Sequence, residues 1–88
     1  PAGLTFEIFP NPVSGDQLRA KLTLPEPSDI RLVLVNNIGQ EVGAISEKFF
    51  TSEENFVNLS IKSLPEGIYY LRLFYEKKVY VRRLAVMK

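Results

Sequence analysis

Apolar residues recur at every second position through most of this chain, a period that suits strands and leaves little room for helices. Helical periodicity is weak throughout. In "QLRAKLTL", Leu18, Ala20, Leu22 and Leu24 share one face, while Arg19, Lys21 and Thr23 share the other. That pattern describes a strand with one face in a core and one in water. "LTFEIF" repeats it with Leu4, Phe6 and Ile8, and "ENFVNLSI" with Val57, Leu59 and Ile61. "IYYLRLFY" places Tyr69, Leu71 and Leu73 opposite Ile68, Tyr70, Arg72 and Phe74. "DIRLVLVN" adds Val33 and Val35 between Leu32 and Leu34, which predicts a strand covered on both faces. "EVGAIS" is shorter and weaker. In "KVYVRRLAVM" the apolar parity changes between Val79/Val81 and Leu84/Val86, and a bulge near Arg82 and Arg83 would produce that change.

Turn residues fall between these runs. "FPNPVSGDQ", "PEPS", "NNIGQ", "KSLPEG" and "EKK" separate successive strands. Proline fixes φ and glycine frees it where a strand cannot continue. About seven short strands with frequent turns point to an all-β sandwich or barrel. The 88 residues make one domain, expected over residues 4–88, with 1–3 as the end of a linker. Apolar residues at 45% and charged residues at 24% support a folded chain over a disordered one. The start at Pro1, without an initiator Met, suggests a fragment or a processed product.

Composition removes much chemistry. The chain has no His and no Cys, so zinc sites, Ser-His triads and Cys-His pairs cannot be built within it. Its five glycines are scattered, and none forms a phosphate loop. Glu53-Glu54 is the one carboxylate pair, in a predicted loop, and reads as solvated rather than catalytic. Calcium would draw on Asp16, Asn11 or loop carbonyls, yet no Asp-rich loop is present. No cofactor is expected. A net charge of +1 gives no global pull toward nucleic acid. Lys77, Lys78, Arg82, Arg83 and Lys88 do cluster near Tyr75 and Tyr80, but cations on an outer strand also guard against edge pairing. No apolar run is long enough to insert in a membrane as a helix.

Three stretches in order resemble a known family: "FEIFPNPVSG", "VLVNNIGQEV" and "LSIKSLPEGIYYLRL", followed by a basic terminal strand. Together they resemble the type A C-terminal sorting domain of the type IX (Por) secretion system, over almost the whole chain. Asn36 stands where that family commonly has Asp, and Gln40 where Arg is frequent. The matching turn residues are Pro10, Asn11, Pro12, Gly39, Leu64, Pro65, Gly67 and Tyr69. Each has a structural role: two prolines stiffen the first corner, Gly67 supplies unusual φ, and Tyr69 is placed as in a tyrosine corner.

The resemblance implies an Ig-like antiparallel β-sandwich of about seven strands and an address label without enzymatic activity. It implies passage through the periplasm, recognition by the outer-membrane translocon, and removal at the cell surface by a sortase-like peptidase. The expected recognition element is the last hairpin, with Lys77, Lys78, Val79, Tyr80, Val81, Arg82, Arg83 and Lys88 as its candidates. An open edge there would also permit a strand-paired homodimer. Two other classes stay open. An Ig-like or fibronectin-like adhesion module would need an apolar patch matched to a partner. A carbohydrate-binding module would need a row of exposed aromatics drawn from Phe49, Phe50, Tyr70, Phe74, Tyr75 and Tyr80.

Overall fold

The alternating stretches fold as seven strands in two antiparallel sheets. The computed structural model describes residues 4–50 and 54–87, with side chains for all of these except 43–50. The strands are β1 (Thr5–Phe9), β2 (Gln17–Thr23), β3 (Ser28–Asn36), β4 (Glu41–Phe50), β5 (Glu54–Ser60), β6 (Gly67–Tyr75) and β7 (Lys78–Val86). One sheet has the order β1-β2-β5 and the other β4-β3-β6-β7. Lettered in the immunoglobulin manner, these are ABE and C′CFG, so the fold is an Ig-like β-sandwich.

The core lies between the inward faces. Leu18, Ala20 and Leu22 of β2 meet Leu32, Leu34, Leu71, Leu73 and Leu84 of the other sheet's strands in one cluster, each fully buried. Phe6, Ile30, Val57, Leu59 and Ile61 belong to it, as do Val13, Leu24, Leu64, Tyr69, Tyr75 and Val86. Among the described residues no polar or charged side chain is buried. Burying each such apolar side chain contributes about 1.5–3 kcal/mol, and with no disulfide this is the main force holding the sheets together.

Strand β3 is apolar on both faces for a structural reason. It lies inside its sheet, and Val33 and Val35 sit on the outer face beside their register partners Arg72 and Tyr70 of β6. Both valines are as buried as the core leucines.

Two expectations about local irregularity need correction. Strand β7 has no bulge at Arg82 and Arg83: its register with β6 runs unbroken from Gly67↔Val86 to Tyr75↔Lys78. The parity change has another cause. Val79 and Val81 face outward at 50% and 46% exposure, while Leu84 and Val86 face the core. The register shift falls instead between Val33 and Val35, where β3 pairs with β4. The weak "EVGAIS" segment is also part of a longer element, since β4 runs ten residues beside β3. Backbone pairing along β3 extends it past the point where the side-chain pattern fades.

Side chains bonded to backbone hold the corners. Between β3 and β4, Asn36 Oδ1 accepts from the Ile38 and Gln40 N–H groups, both at 3.0 Å, in an Asx turn completed by Gly39 at φ 89°. Before β6, the Tyr69 hydroxyl donates to the Pro65 carbonyl at 2.6 Å, which is a tyrosine corner. Tyr69→Phe keeps the buried ring and removes this bond, so chemical denaturation should report a loss of about 1–2 kcal/mol. Between β6 and β7, Glu76 takes a left-handed φ of 54°. Glycine adopts that region without a Cβ clash, so Glu76→Gly should raise stability by up to about 1 kcal/mol in the same assay.

Candidate recognition edge

Strand order places β7 at the end of the four-stranded sheet, so one row of its backbone groups faces away from β6. Ladder alternation assigns that row. Ala85 directs both its N–H and its C=O away from β6, so Val79, Val81 and Arg83, at the same parity, do likewise.

The C-terminal half of this row is already occupied. Asn11 sits in the Phe9–Val13 corner, where the Phe9–Pro10 and Asn11–Pro12 peptide bonds are both cis. Its Nδ2 donates to the Arg83 carbonyl at 2.8 Å, and its Oδ1 accepts from the Ala85 N–H at 3.1 Å. One side chain therefore takes the place of a strand's peptide group. Val13 extends the contact. Its N–H donates to the Ala85 carbonyl at 2.9 Å and its carbonyl accepts from the Met87 N–H at 2.8 Å, a parallel bridge centred on Val86.

Arg82 closes the gap between the two sheets. Its Nε donates to the Phe6 carbonyl at 2.8 Å, its guanidinium lies 5.2 Å from the Phe6 ring centroid, and its Nη1 donates to the Val81 carbonyl at 2.9 Å. The side chain thus covers the rim of the core with a cation–π contact and satisfied donors.

The N-terminal half of the row is open. Both backbone groups of Val79 and the N–H groups of Val81 and Arg83 have no partner among the described residues. The charge around them is one-sided. Lys77, Lys78, Arg83 and the half-buried Arg72 make no ion pair among the described residues, where Lys21–Glu54 and Arg31–Glu41 are the resolved pairs. Cross-strand partners Arg72↔Val81 and Tyr70↔Arg83 put the two arginines diagonally adjacent on the outer face. Tyr80 is half-buried against the core, where its parity sends it inward. Lys88 lies outside the described residues. Tyr75 is buried, and that burial raises the pKa of its hydroxyl, with smaller contributions from Glu76, Glu26 and Tyr80, so it stays neutral at physiological pH.

Of the candidate residues, the structure brings Asn11 together with the basic hairpin, across 72 positions of sequence. Gly39, Leu64 and Pro65 stand apart from the edge strand as turn or core residues, while Gly67 and Tyr69 pair with Val86 and Leu84 on the side of β7 that faces β6. Sequence reasoning misses Val13, because a lone valine after the Pro10-Asn11-Pro12 turn carries no signal of a distant strand partner. The candidate aromatics with described side chains do not share one face. Tyr75 and Tyr80 point inward, Tyr70 and Phe74 outward, and Phe49 and Phe50 lie outside the described side chains. On the other sheet, the Arg19 guanidinium lies over Phe9 and Phe56, 5.6 and 4.8 Å from their centroids, and so covers ring faces a sugar would need. Among the described residues no cluster of three acidic or other metal-ligating side chains occurs.

A family model for the secretion system C-terminal sorting domain matches residues 7–87. Searches of curated proteins and of solved structures give no match. The matched span takes in the Asn11 corner, the tyrosine corner and all of β7, and the chain belongs to the type IX secretion C-terminal sorting domain family.

Proposed function

We infer that this domain, as a member of its family, acts as a C-terminal secretion signal, contacts the type IX machinery and directs export to the cell surface or beyond. We propose that this domain carries no activity of its own and is read by that machinery through the β6–β7 hairpin. The cargo passes through the periplasm, the outer-membrane translocon engages the hairpin, and a sortase-like peptidase removes the domain at the surface. Residues 1–3 then belong to the linker from the cargo. One observation carries the reading: β7 is an edge strand whose open half is flanked by cations that make no ion pair among the described residues. Positive charge beside an open edge favours encounter with an acidic protein partner and fixes its orientation.

The experiment is a fluorescent cargo fused to this domain in a bacterium with a type IX system. Deleting residues 79–88 should leave the cargo in the cell. That deletion also removes Leu84 and Val86 from the core, so a second variant is needed. Lys77→Glu, Lys78→Glu and Arg83→Glu together change exposed side chains only. The triple variant should keep its melting temperature within a few degrees and lower secretion about tenfold or more, by weakened electrostatic association. Undiminished secretion of the triple variant would overturn the reading.

A further inference from the structure

We propose that the segment recognised at this edge is a short extended peptide of alternating apolar and acidic residues, which adds to β7 along Lys78–Val81 as a fifth strand. The proposal rests on the reading above and names the partner's chemistry. The open groups are a peptide donor and acceptor at Val79 and donors at Val81 and Arg83, repeating at ladder spacing. An added extended backbone matches such a row group for group at ladder spacing. The Val81 carbonyl already accepts from Arg82 Nη1, and its second lone pair remains for an incoming N–H.

The fold limits the length of this strand at both ends. The hairpin turn begins before Lys78, and Asn11 holds Arg83 and Ala85 at the other end. The window is about 7–10 Å, room for three or four residues of strand. Asn11 and Val13 thus act as a stop that sets the register.

Side chains on the outer face of the added strand lie beside Val79 and Val81, which are half exposed and next to half-buried Phe74. These call for apolar residues. Arg83 and Arg72 on that same face, with Lys77 and Lys78 beside the turn, call for carboxylates. A second copy of this chain fits poorly. Antiparallel β7–β7 pairing centred on Tyr80 would set Lys78 against Arg82 and Lys77 against Arg83, and like charges directly opposed are destabilising.

The test uses a synthetic peptide of about eight residues alternating Val and Asp, and a control with Lys for Asp. Amide exchange and NMR shifts of the isotopically labelled domain are followed during titration. The Asp peptide should protect the Val79 and Val81 amides, and the Lys peptide should bind at least about tenfold more weakly. Val81→Pro removes an N–H that faces away from β6, a position where an edge strand tolerates proline. It should weaken the Asp peptide about tenfold or more while the β6–β7 ladder persists. Should Val81→Pro fail to fold, Arg72→Glu with Arg83→Glu replaces it, with the same loss expected.

Equal binding of the two peptides, or full binding to the substituted domain, overturns the proposal. So does protection of the same amides by concentration alone, which means self-pairing, or by anionic phospholipid vesicles when the Asp peptide gives none. Normal secretion of a stably folded Val81→Pro cargo, with the charge-reversed cargo retained, overturns strand addition and leaves hairpin recognition standing. Normal secretion of the charge-reversed cargo overturns hairpin recognition itself.

Discussion

Leu71→Ala is expected to lower the melting temperature by roughly 15 °C, the largest effect of any single substitution considered for this domain. Leu71 is fully buried and pairs across the sheet with Leu34, which is also fully buried. Truncation removes three carbons from the contact between the sheets and leaves a void that two hydrogen-bonded sheets cannot collapse to fill. The combined cost is about 3 kcal/mol, a large share of what a domain of this size has. No disulfide is present to limit the loss. Calorimetry checks it, and a shift under about 5 °C would mean the strands relax into the gap.

Gly67→Val is expected to cost about 2–3 kcal/mol for a different reason. Space is not the obstacle, since a Cβ at Gly67 meets only Tyr69 Cε1, at 3.8 Å. The backbone is the obstacle: φ is 157°, a conformation L residues rarely adopt, and a β-branched side chain is least able to adopt it. Gly67 opens β6 and pairs with Val86, and two residues later Tyr69 bonds back to Pro65. Strain there disturbs the tyrosine corner and the end of the last ladder together. The melting temperature should fall by roughly 10 °C or more. An unchanged value would show that this corner accepts ordinary φ.

Much of the fold is legible in the residue order. Alternation in β2, β5 and β6 identifies their inward faces, and the doubled valines of β3 mark a strand covered on both sides. The glycine at Gly39 and the Leu64–Gly67 turn mark corners because few other residues reach those backbone conformations. The outer half of β7 is less legible. Alternation says that Val79 and Val81 share a face, yet not which face. The parity change therefore reads from sequence as a bulge near Arg82 and Arg83, whereas the unbroken register puts Val79 and Val81 in water.

The candidate site divides in the same way. Sequence alone determined that this chain is a β domain without His or Cys chemistry, that it carries the family's corners in order, and that its last hairpin is basic. These properties are local: each depends on residue type or on spacing within a few positions. Tertiary structure alone decided which part of that hairpin is open. Asn11 reaches Arg83 and Ala85, Arg82 turns inward to Phe6, and a generic basic edge becomes a short window at Lys78–Val81. Those contacts join residues more than seventy positions apart, where the hydrogen-bonding partner is set by how the two sheets stack and no local pattern can specify it.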